Sequence, residues 1–169
     1  YTNEKDLFNT IIDGEHIIYD KYNNFINTYA AFDVYYINTK NVTYLPLINT
    51  DDEKVEKSPQ NYRLNILNSI IKKINIKSIV DKKLPSIVIK IKKFYSKNIF
   101  DACSLILKNS EKNVIEYNID GLIFTPANTG VASNTIGKQA PHYKVTWNES
   151  LKWKPPEFNT IDFLIKFEK

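Results

Sequence analysis

The run YAAFDVYYI at residues 29–37 constrains this chain most. It is nearly all apolar and rich in aromatic and β-branched side chains, the pattern of a strand buried inside a sheet. One acid, Asp33, interrupts it. We read that carboxylate as orienting a neighbouring strand or loop rather than touching a ligand.

Further strand signals surround this run. Residues 8–18 are β-type and are broken by Asp13-Gly14-Glu15, where Asp and Gly favour a turn. Residues 85–94 alternate Ile87, Ile89 and Ile91 with Val88, Lys90 and Lys92, a half-buried strand. Residues 116–125 read as a strand broken at Asp120-Gly121, and 143–147, 151–154 and 160–167 as three closing strands. Two stretches have helical spacing. Residues 62–76 place Leu64, Leu67, Ile70, Ile71 and Ile74 on one face, and 98–108 form a second amphipathic stretch. Residues 50–60 are charged, carry Pro59 and read as a surface loop, while 127–141 are irregular. The order predicts an α+β domain, an antiparallel sheet with two helices outside it, and no boundary within the chain.

Composition removes several function classes. The four glycines, Gly14, Gly121, Gly130 and Gly137, cannot build a P-loop or a Gly-x-Gly-x-x-Gly turn. Two histidines and one cysteine argue against a zinc site, and no nucleophile elbow is present. Cys103 lacks an internal disulfide partner and lies in an apolar helical stretch. We expect a small buried core residue in a reducing compartment. No apolar run is long enough to span a bilayer. A net charge of +4 permits a nucleic acid partner without demanding one.

Phosphate handling remains, and the motif LKWKPP at residues 151–156 points to it. On a strand, Lys152 and Lys154 point to one face, and two cations on one face suit a phosphate. The plainer reading is the solvated face of an edge strand, where lysine is common. Asp120, inside IDGLIF, is either a metal ligand facing phosphates or a turn-forming Asp-Gly. Phe32 is either a ring that stacks on a base or simply core, like Val34 and Tyr36.

The order IIDGEH (11–16), YNIDGLIFTP (117–126) and LKWKPP resembles the covalent nucleotidyltransferases, the superfamily of mRNA capping guanylyltransferases and polynucleotide ligases. The Trp-Lys-Pro ending, with FTPANTG and WNESLKWKPPEFNTIDFLIKF, looks most like capping guanylyltransferases of large DNA viruses. The resemblance implies a ligase- or capping-type nucleotidyltransferase domain. It further implies that Glu15 contacts the ribose or a metal, and that Phe32 covers the purine. Lys152 and Lys154 hold the α-phosphate, and Asp120 with Glu15 binds Mg²⁺ or Mn²⁺. The implied substrate is GTP, the acceptor is the 5′-diphosphate end of RNA, and the partners are other capping domains of the same polypeptide, with no membrane. The implied location is cytoplasmic, in a viral factory or virion.

One element of that family is missing. Its nucleophile is the lysine of Lys-x-Asp-Gly, but Ile11 and Asn118 occupy that offset before the two Asp-Gly pairs. The chain also ends at Lys169, soon after Lys154, too short a remainder for the OB-fold that follows in the family. We expect residues 1–169 to be the C-terminal part of a guanylyltransferase domain, inactive alone. An ATP-dependent DNA or RNA ligase and a non-catalytic nucleotide- or RNA-binding scaffold are the alternatives.

Overall fold

A computed structural model describes residues 2–49, 61–74, 76, 87–96, 98–138, 146–161 and 163–167. Its centre is β2 (Phe25–Ile37), which pairs antiparallel with β1 (Ile11–Tyr19) along its length. On its other edge β2 pairs antiparallel with β3 (Lys40–Asn41) and parallel with β4 (Val88–Ile91). A second, two-stranded sheet joins β5 (Leu122–Phe124) to β6 (Leu151–Trp153), antiparallel. The α+β expectation holds, with one parallel pairing added to the antiparallel sheet.

Local chemistry explains the connections. Asp20 closes the β1–β2 turn, its Oδ1 accepting from the backbone N–H of Tyr22 and Asn24, each at 2.8 Å. Asn38 and Thr39, both at positive φ, form the two-residue β2–β3 hairpin, whose twist suits paired strands. Helix α1 (Arg63–Lys73) has no side-chain cap at Tyr62. Instead the N–H groups of Arg63 and Leu64 donate to the Pro46 and Leu47 carbonyls, each at 3.0 Å. That docking satisfies orphan donors of the first turn and fixes the helix on the chain after β3.

The core lies between α1 and the sheet. Leu64, Leu67 and Ile70 of α1 meet Ala31 and Val34 of β2, with Leu7, Val42 and Leu47 around them. Helix α2 (Ile99–Glu111) is capped by Asn98, whose Oδ1 accepts from Phe100 N at 2.9 Å, and it buries no residue. Cys103 is accordingly half-buried, not the fully buried core residue expected.

Several expected boundaries change. Asp13-Gly14 is no turn: β1 runs straight through it, because the ladder to β2 continues on both sides. Among the described residues, the strand expected at 85–94 covers Val88–Ile91, and that at 116–125 covers Leu122–Phe124. The closing strand expected over 160–167 does not form among the described residues. Ile161, Phe163, Leu164, Ile165 and Phe167 are exposed there, and an alternating sequence makes a strand only when a neighbour completes its ladder. The loop expected at 50–60 lies outside the described residues, as do residues 143–145 of another expected strand. Among the described residues no helix is long and apolar enough to cross a membrane.

Candidate nucleotide-binding site

The β5–β6 ladder positions the first cluster. Leu122 pairs with Trp153 and Ile123 with Lys152, so Asp120 just before β5 comes alongside Lys154 just after β6. The close approach needs glycine between them. A Cβ on Gly121 would stand 2.0 Å from the Trp153 carbonyl oxygen. Lys152 Nζ lies 3.2 Å and Lys154 Nζ 3.0 Å from the same oxygen, Asp120 Oδ2. The structure therefore brings Lys152, Lys154 and Asp120 together, with both ammonium groups on one side.

Charge in this cluster is unbalanced, two cations sharing one carboxylate. The hydrogen bonds from Lys154 first, then Lys152, hold the Asp120 carboxyl below its ordinary range. A depressed carboxylate favours the folded state above its ordinary pKa, and that contribution fades as pH falls through the lowered value. The groups are well exposed, with side-chain accessibilities of 30–54%, so each pair contributes only about 0–1 kcal/mol. A phosphate, carrying more charge than the carboxylate, can draw the lysines away at little cost.

The second cluster sits on the main sheet. Asp13 pairs with Asp33 and Gly14 with Ala31, which leaves Phe32 as an extra residue on β2. That is a β-bulge, a device that re-aims a side chain. A second register shift, between Ile11 opposite Tyr36 and Ile12 opposite Val34, leaves Tyr35 without a partner on β1, while its carbonyl accepts from Val42 N at 2.9 Å. Phe32 is half-buried, so it is not core like the fully buried Val34. Lys92 follows β4, its N–H donating to the Ala31 carbonyl at 2.8 Å. Its Nζ stands 5.5 Å from the centroid of the Phe32 ring and 2.6 Å from Glu15 Oε2. Phe32 and Glu15 thus meet through Lys92.

The segment 116–120 links the clusters. Glu116 pairs with Lys90 at 2.7 Å, and its carbonyl accepts from Lys21 N at 3.1 Å. Tyr117 and Asn118 then line a cleft of about 440 Å³ with Glu15, His16 and Asp20. Burial, then the nearby Glu15 and Glu116 charges, push the Tyr117 hydroxyl pKa up. From Tyr117 the chain reaches Asp120 within about 11 Å.

The expected metal ligands are a different matter. Glu15 is paired with Lys92 and Asp120 with Lys152 and Lys154, and among the described residues no group of three Asp, Glu, His or Cys side chains gathers to hold a metal. Asp120 alone still fits Mg²⁺, which takes one or two carboxylates and fills its shell with water and substrate phosphates.

Two residues escaped the sequence reading. Lys92 is one lysine in the run IKIKKF and has no pattern of its own. Arg63 did have a signal, being the sole arginine among 23 basic residues. Its side chain is fully buried, with Nε 2.7 Å from Asp33 Oδ1 and Nη2 3.1 Å from Asp33 Oδ2. Its Nη1 donates to the carbonyls of Leu45 and of Thr129, the latter at 3.1 Å. Burial pushes the Asp33 carboxyl pKa up, against the pull of Arg63 and of the Val34 N–H.

No protein-family model matches the chain. Over 169 residues it is 29% identical to the mRNA-capping enzyme of Danio rerio, a match covering 96% of this chain and 23% of that protein. Over 167 residues it is 28% identical to the mRNA-capping enzyme of Mus musculus, with the same two coverages. A shorter match, 40% identical over 55 residues, covers 32% of this chain and 7% of the mRNA-capping enzyme of Caenorhabditis elegans. The chain spans about a quarter of the length of the first two relatives. Nearly the whole chain is therefore similar to one part of proteins named mRNA-capping enzymes, which supports a capping role at the level of the family.

Proposed function

We propose that this chain is the later part of a guanylyltransferase domain that transfers GMP from GTP to the 5′-diphosphate end of RNA. The observation that carries the reading is the convergence of Lys152 and Lys154 on Asp120 Oδ2, at 3.2 and 3.0 Å, in a chain similar to mRNA-capping enzymes over 96% of its length. The nucleophile is a lysine elsewhere in the polypeptide. It attacks the α-phosphate, pyrophosphate leaves, and a lysine–GMP phosphoramidate remains. The terminal oxygen of the RNA diphosphate then takes the GMP and frees the lysine.

In both steps the α-phosphate gains charge, and Lys152 and Lys154 stabilise it from one side. Asp120 would hold Mg²⁺ or Mn²⁺, which supplies further charge neutralisation when bound. Phe32 covers one face of the purine. Glu15 sits beside the ribose once the nucleotide parts it from Lys92. RNA and the remaining capping domains of the polypeptide are the partners. A source in a large DNA virus and action in its cytoplasmic factory or virion complete the reading.

Stacking does not separate guanine from adenine, because every base has a π-face. Lys92 supplies a discriminator, since an ammonium beside the Phe32 ring donates to guanine O6 and meets only an amino group on adenine. Phe32→Ala should therefore weaken GTP and ATP together, about tenfold each, the size of a lost base–aromatic stack. Lys92→Ala should lower the GTP:ATP preference instead. Equilibrium titration of both nucleotides against the full-length protein decides this. If Phe32→Ala leaves both affinities unchanged, the base site is wrong. If GTP does not bind at all, the scaffold alternative, favoured by the absence of Lys-x-Asp-Gly from this chain, takes its place.

A further inference from the structure

We infer that Arg63 is a positioning residue for the base: through Asp33 it locks the bulge that aims Phe32 at the nucleotide. The inference rests on the reading of Phe32 as the stacking ring and adds how that ring is held.

In the ladder to β1, strand β2 has two skipped residues near Arg63, Phe32 and Tyr35, with Asp33 and Val34 between them; a third register shift lies at the far end of the ladder, between Ile17 and Tyr19. A bulge residue lies outside the ladder, so the ladder does not fix its direction. Slipping β2 by one residue would restore regular pairing and turn Phe32 to the other face of the sheet. Something off the ladder must forbid that slip. Asp33 is the residue immediately after Phe32, and both its carboxylate oxygens are held by the guanidinium fork, at 2.7 and 3.1 Å. A fork fixes distance and orientation together. On the Tyr35 side, the Tyr35 hydroxyl donates to Asp13 Oδ2, so the second bulge is tied across to β1.

Arg63 is itself fixed from behind. Its Nη1 donates to the Thr129 carbonyl, in a loop held further by Val131 N to Thr43 O at 2.7 Å and Leu47 N to Ala127 O at 2.8 Å. That loop continues β5, the strand that begins just after Asp120. Thr129 thus anchors the guanidinium from behind, and the fork on Asp33 carries its position to the base ring.

The test separates positioning from plain stability by using two probes, GTP and inorganic tripolyphosphate. Tripolyphosphate needs the lysine cluster but no ring. In the full-length protein, Arg63→Lys keeps the charge and loses the fork. It should weaken GTP about tenfold, matching Phe32→Ala, with tripolyphosphate affinity unchanged. In a Phe32→Ala background it should cost nothing further, since the ring it positions is gone. The double variant Asp33→Leu/Arg63→Met removes both charges together, a replacement that folded proteins tolerate. Thermal unfolding should confirm that it is folded, and it should show the same selective loss of GTP. Equal loss of both probes, or full additivity with Phe32→Ala, would overturn the inference. Failure of the stacking reading is distinguishable, because it shows as an inert Phe32→Ala before Arg63 is altered.

Discussion

Arg63→Ala should cost this domain about 3–5 kcal/mol, the range for removing one partner of a buried ion pair. The reasons are local. Arg63 is 0% exposed, and truncating it leaves the buried Asp33 with only the Val34 N–H at 2.7 Å. The cost of an unpaired buried charge far exceeds the weak benefit of a paired one. The Leu45 and Thr129 carbonyls lose their donor at the same time, and α1 loses its ion pair to β2, leaving the apolar packing between them. Against a typical total of about 5–15 kcal/mol, this is a large fraction. Urea denaturation followed by circular dichroism should show the midpoint falling sharply in Arg63→Ala and falling less in Asp33→Leu/Arg63→Met, which leaves no buried charge unpaired. A midpoint unchanged in Arg63→Ala would mean that the pair holds nothing together.

Lys154→Ala should do the reverse, sparing the fold and stopping the chemistry. Its ion pair with Asp120 is part-exposed, so folding stability should move by less than about 0.5 kcal/mol. Adduct formation by the full-length protein should fall about 10²–10³-fold, the range for deleting one preorganised group that meets developing charge. The preference for GTP over ATP in residual binding should stay as it was, because the proposed reading assigns Lys154 to the phosphate and Phe32 with Lys92 to the base, and Lys154 pairs with Asp120 while Lys92 stands over Phe32. Lys152→Ala should cost less. Lys152 is the more exposed of the pair, 48% against 30%, and stands farther from Asp120. Single-turnover labelling of the two variants checks the order. Equal and complete loss in Lys152→Ala with normal Lys154→Ala would reverse the assignment.

The motif residues were legible because each combines an unusual residue type with an unusual place. Two lysines alternate across an apolar strand, and an acid and glycine stand at the head of another. That supports the spatial grouping of Lys152, Lys154 and Asp120, while their roles remain a proposal. The bulges were not legible. YAAFDVYYI reads as one regular buried strand, yet its buried pairs, Ala30 with Ala31 and Asp33 with Val34, come from two breaks in the two-residue period. Such breaks depend on what the partner strand and α1 bring, which no local pattern records. Asp33 suggests an acid that orients a neighbouring strand or loop; its partner is instead Arg63, at the start of helix α1. Lys92 was hidden among like residues. The segment 160–167 misled for the opposite reason: its alternation is clear, but a strand is made by its partner as much as by its own sequence.

The central claim is that Lys152, Lys154 and Asp120 serve covalent transfer of a guanylate. It is tested most directly by incubating the full-length protein with α-³²P-labelled GTP or ATP and Mg²⁺, then running a denaturing gel. A labelled band is expected with GTP, stable to base and labile to acid as a phosphoramidate is, and no band from residues 1–169 alone, which lack Lys-x-Asp-Gly. A band formed with ATP and not with GTP would contradict it and assign the domain to ligase chemistry.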